Sequence, residues 1–95
     1  LEKPFLSMPV ISRFYGILIK MYFGDHLPSH FHAEYNEFSA QVSISDFQII
    51  RGTLPPKALA LVMEWAALHQ NELMENWNNL SRGGPGTFKK IEPLK

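Results

Sequence analysis

The apolar residues of this chain change their period once, at Pro55-Pro56, and that single change sets the fold class. Ahead of the prolines the spacing is two. Ile17, Ile19, Met21 and Phe23 share one side and Leu18, Lys20 and Tyr22 the other, which predicts a strand over 17–23 that extends back toward Ile11. Gly24 and Asp25 end it, and Pro28 has no N–H to give a ladder, so residues 24–29 read as a loop carrying His26. His30 to Tyr35 alternates again, with His30, His32 and Glu34 against Phe31, Ala33 and Tyr35, and Asn36-Glu37 is a tight turn. Phe38, Ala40, Val42 and Ile44 face inward on the next strand. Ser45-Asp46 then turns the chain into a strand over 47–51 that Gly52 closes. Short connections between four such strands predict an antiparallel meander.

Behind the prolines the period is helical. Pro55 and Pro56 suit a first helical turn, where a missing N–H costs nothing, and residues 58–80 contain neither Gly nor Pro. Leu59, Leu61, Val62, Trp65, Ala66, Leu73, Trp77 and Leu80 fall on one stripe of that helix. The expected architecture is α+β: a small antiparallel sheet of about four strands, covered on one face by a single long C-terminal helix. Gly83, Gly84, Pro85 and Gly86 make the exit, and the tail, with Phe88, Ile91 and Leu94, is expected to pack along a sheet edge. Residues 8–95 form one domain. Residues 1–7 lack either period and read as an alternative start or a cloning remnant ahead of Met8.

Composition narrows the function classes. Nine basic residues balance nine acidic ones, which disfavours a strongly basic nucleic-acid binder. The balance is uneven, however: Arg82, Lys89, Lys90 and Lys95 oppose only Glu92 in the tail. With no cysteine, disulfides, thiolate nucleophiles and cysteine-ligated metals are excluded, and any ion must use imidazole and carboxylate. No apolar run approaches the ~20 residues of a membrane helix, so the expectation is a cytoplasmic protein without membrane contact. A small open sheet leaves an edge, from which a homodimer is expected.

Three of the four histidines lie in the segment 25–32, Asp-His-Leu-Pro-Ser-His-Phe-His. On a strand, His30 and His32 share a face at roughly 6–7 Å spacing, from which two imidazoles can converge on one ion or substrate. Three readings stand side by side. In the first, His30 and His32 are metal ligands with His26 or Glu34 as the third, holding a divalent metal such as zinc with one position open. In the second, His26, His30 and His32 supply the acid and base for phosphodiester chemistry on RNA without a metal. Lys20 or Arg13 would then meet the phosphate and Tyr22 a base. In the third, the cluster fixes the loop, with Asp25 bonding the turn and the rings stacking on Tyr22 and Phe31.

His69 falls within the helix stripe and reads as a core histidine with Glu72 as its partner. Its meeting His30 and His32 would need the opposite strand register, because Phe31 and Ala33 look like the core side. Trp65 and Trp77 read as core packing.

The runs Ile11-Ser12-Arg13-Phe14-Tyr15-Gly16-Ile17, Met21-Tyr22-Phe23, Asp25-His26 and His30-Phe31-His32-Ala33, with Glu64-Trp65-Ala66, His69, Glu72-Leu73 and Asn76-Trp77, resemble a family of short bacterial proteins catalogued as a domain of unknown function. The resemblance implies a component of a two-gene module similar to toxin-antitoxin pairs, binding a partner protein, with RNA as a candidate substrate. It carries over no catalytic residue. It does imply that Asp25, His26, His30 and His32 belong to the family motif.

Overall fold

A computed structural model describes residues 9–95; the stretch 1–7 lies outside the described residues. Five strands form one sheet in the order β1-β2-β3-β4-β5, each antiparallel to the next: β1 Val10–Phe14, β2 Ile17–Lys20, β3 His30–Tyr35, β4 Phe38–Ser43 and β5 Ile49–Thr53. Two helices follow, α1 Pro56–Leu68 and α2 Gln70–Gly83. The α+β meander is as expected, and three details differ.

The first strand is a hairpin. Tyr15 and Gly16 adopt φ of 50° and 81°, the paired positive angles of a two-residue turn that matches strand twist, and Phe14 pairs with Ile17 across it. The sheet therefore has five strands rather than four. The single helix is likewise two: His69 leaves helical geometry at φ −128° and ψ 24°, its N–H bonding back to Ala66. Gln70 starts α2 with its side-chain amide donating to the carbonyls of Ile44 at 2.7 Å and Ser45 at 3.2 Å, which anchors the new helix to the end of β4. The last strand also begins later than predicted, at Ile49, because Phe47 turns at φ 59°.

Alternation sorts the faces as the sequence implies. Phe31, Ala33, Val42 and Ile19 are fully buried, and Trp65 of α1, itself fully buried, packs on Phe14 at 5.3 Å and edge-on to Phe31 at 6.0 Å. Leu73, Trp77 and Leu80 bury the inner stripe of α2. The tail closes the β1 side: Ile91 donates to the Ile11 carbonyl, Asn76 exchanges two hydrogen bonds with the Lys89 backbone, and the Trp65 indole donates to the Glu92 carbonyl, all at 2.8 Å. The opposite edge, β5, is exposed along its whole length.

Candidate metal centre

His30 and His32 stand on the face of β3 opposite Phe31 and Ala33, as period two requires. His30 opposes Ser43 of β4, and His32 lies between Lys20 of β2 and Gln41 of β4. The loop over 24–29 then folds back on them. Its far end is pinned where Ile44 donates to the Ser29 carbonyl, and its near end carries Asp25 to the two rings. One carboxylate oxygen, Oδ2, is 2.9 Å from His32 Nε2 and 3.1 Å from His30 Nε2. The three ligand atoms all lie within 4.8 Å of one another, so Asp25, His30 and His32 form a group able to hold a metal ion.

The protons on His30 make this group unusual. Its Nδ1 lies 2.8 Å from the Pro28 carbonyl, which can only accept, so Nδ1 carries the proton. In the neutral ring Nε2 is then a bare lone pair. That nitrogen is buried and makes no hydrogen bond among the described residues, although Asp25 Oδ2 is 3.1 Å away. Two acceptors thus face each other across a short gap in a buried place, an arrangement that needs a cation or an extra proton between them. A histidine whose outer nitrogen is fixed by a backbone carbonyl while the inner one is free has the arrangement usual in metal-binding histidines.

Aromatic rings wall the group. Tyr22 stands edge-on to His32 at 4.7 Å between centroids, and Trp77 of α2 lies 5.3 Å from His30. The imidazoles are largely withdrawn from solvent, with side-chain exposures of 6% for His30 and 19% for His32, and Asp25 is the more open at 25%.

The other residues singled out from the sequence are elsewhere engaged. His26 is exposed and outside the group, while Glu34 is held by Lys20 across the β2–β3 pair at 3.0 Å. Arg13 is exposed on β1. His69 packs on Trp65 at 5.5 Å, with Nδ1 at 2.5 Å from Glu72 Oε1, so Glu72 is its partner as expected, but the ring is only partly buried and sits at the break between α1 and α2 rather than in the core. Sequence reasoning placed Asp25 in the motif and gave it a turn-bonding role; the structure brings it to the histidines as the third donor. Trp77, read as core, also backs His30. The signal available was the spacing of an acid five and seven residues ahead of two histidines.

A family model described as domain of unknown function (DUF4160) matches residues 16–78. The chain belongs to this family. The matched span contains Asp25, His30, His32 and Trp77, so the whole candidate centre lies within the family's domain. No curated protein and no solved structure matches the chain. Among the described residues, no helix is long and apolar enough to cross a membrane.

Proposed function

We propose that this domain is a divalent-metal-binding protein whose ligands are Asp25, His30 and His32, with zinc the best-suited ion. The observation that carries the proposal is the buried, unbonded Nε2 of His30 facing the Asp25 carboxylate. The donor set agrees with it. Two imidazole nitrogens and one carboxylate oxygen are the borderline and hard donors that suit zinc or ferrous iron, and three protein ligands are typical of sites that keep a position open. In a tetrahedron of bonds about 2.0–2.1 Å long, ligand atoms lie roughly 3.3–3.4 Å apart. The observed 2.9 and 3.1 Å require an opening of only a few tenths of an ångström. Zinc so held would act as a Lewis acid at its remaining position. Metal content of protein purified without a histidine tag, followed by competition with a chromophoric chelator, tests the reading. One zinc per chain is expected, lost in His30→Ala and His32→Ala but kept in His26→Ala. Absence of stoichiometric binding of any divalent metal removes it.

A second reading concerns a protein partner, as in a toxin-antitoxin-like pair, and it is supported by β5. This edge strand exposes Ile49 at 40% and Ile50 at 42% with its outer backbone groups available for pairing. Copurification with the product of the neighbouring gene, abolished by Ile49→Lys with Ile50→Lys, is the expected result; a monomer that captures nothing, with or without the lysines, rejects it. The phosphodiester reading has less support, because Lys20 is already paired with Glu34 and Arg13 lies on β1, two strands away from β3 in the sheet.

A further inference from the structure

A cavity of about 250 Å³ adjoins the centre, lined by Tyr22, Phe23, Asp25, Trp77, Leu80 and Ser81. Three of these residues join it to the candidate ligands. Asp25 belongs to both, Tyr22 packs on His32, and Trp77 packs on His30. At ~30 Å³ per water in the liquid, the space corresponds to about eight waters, the size of one ring with a small head group. Four of the walls are aromatic or aliphatic. The Ser81 hydroxyl is occupied, donating to the Trp77 carbonyl at 2.9 Å. Among the described residues, no lysine, arginine or histidine lines the cavity, and the Asp25 carboxylate is its only charge.

These facts select a ligand class, on the condition that the metal reading above holds. A divalent ion neutralised by one carboxylate and two neutral imidazoles leaves one positive charge, which calls for a monoanion. A polyanion such as a nucleic-acid backbone would need further cations that the walls do not supply. An aliphatic anion would forgo the ring faces of Tyr22 and Trp77, which favour an aromatic body. We propose that the cavity binds a small aromatic acid, its oxygens directed to the ion at the Asp25 end and its ring held against Tyr22 and Trp77.

Titration of the zinc-loaded full chain with benzohydroxamic acid and acetohydroxamic acid, followed by calorimetry and tryptophan fluorescence, tests this. The two probes share a metal-binding head and differ only in phenyl against methyl. The expected result is at least tenfold tighter binding of the aromatic probe. Ser81→Phe fills the cavity from an exposed helix position, and should erase that preference while leaving zinc stoichiometry in place. Should Ser81→Phe fail to fold, Phe23→Ala, at a site 53% exposed, should lower the preference at least threefold. Equal affinities with one zinc bound overturn the cavity assignment and spare the metal centre. So does a preference untouched by the variant that folds, or a dinucleotide that binds more tightly than benzohydroxamate. Failure to bind zinc overturns both.

Discussion

Replacing Asp25 with asparagine separates a metal ligand from a loop anchor by the size of a stability change and its response to zinc. In the metal-free protein the Asp25 Oδ2 position faces two ring nitrogens, His32 Nε2 at 2.9 Å and the unbonded His30 Nε2 at 3.1 Å. An amide nitrogen placed there offers two protons where the carboxylate offers none, so Asp25→Asn can bond the His30 lone pair and let His32 take its other tautomer. Each new hydrogen bond contributes about 0.5–1.5 kcal/mol, against about 1.5–3 kcal/mol for the charged bond to His32 that is lost. The two nearly cancel, leaving the variant within about 1 kcal/mol of wild type, a shift of at most ~8 °C in melting temperature for a domain this size. Thermal denaturation at pH 8 in chelator, where an ordinary imidazole is neutral, reads this directly. With zinc at a hundred times its dissociation constant, wild type should gain about 2.7 kcal/mol, and Asp25→Asn should gain little because a ligand is gone. If Asp25→Asn loses 2–3 kcal/mol in chelator and zinc stabilises neither protein, the carboxylate is an anchor of the loop and the argument from His30 fails.

Glu34→Gln should leave zinc affinity within about twofold while costing no more than ~1 kcal/mol, since the Lys20–Glu34 pair is partly exposed; chelator competition and urea unfolding check both. Gly52 sits at φ +81° where an added Cβ would lie 2.2 Å from the Ser39 carbonyl oxygen. Gly52→Ala should therefore cost about 2–3 kcal/mol and loosen the β4–β5 pairing, visible as faster amide exchange at Arg51 and Thr53; an unchanged melting temperature contradicts it. Asn76→Ala removes both bonds to the Lys89 backbone from a buried position and should destabilise by about 2–3 kcal/mol, with the Ile91 amide losing protection first. Exchange at Ile91 no faster than in wild type would show that the tail is held without that clamp.

Much of this fold is legible because its strands obey period two so strictly. Phe31 and Ala33 against His30 and His32 told the two faces of β3 apart, and with them that His69 lies away from the cluster. The β1–β2 hairpin was not legible, since its turn uses Tyr15-Gly16 where the usual signal is Asn-Gly or Asp-Gly, and tyrosine rarely accepts a positive φ. Nor was the helix break at His69, where no Gly or Pro interrupts the run; tertiary bonds from Gln70 to the end of β4 override local propensity there. For the site, periodicity brought the two histidines to one face. It could not return a loop: the approach of Asp25 depends on the path of residues 24–29, which no repeat describes, and so His26 and Glu34 were the third ligands a linear reading offered.

In the proposed centre Asp25, His30 and His32 share one ion. X-ray absorption of the zinc-loaded chain at the zinc edge tests this most directly. It should show a four-coordinate shell of nitrogen and oxygen at about 2.0–2.1 Å with the outer-shell scattering of two imidazoles, a shell that His32→Ala, which holds no stoichiometric zinc, should not give. Spectra carrying three imidazoles, spectra unchanged by His32→Ala, or zinc present at well under one equivalent would contradict it.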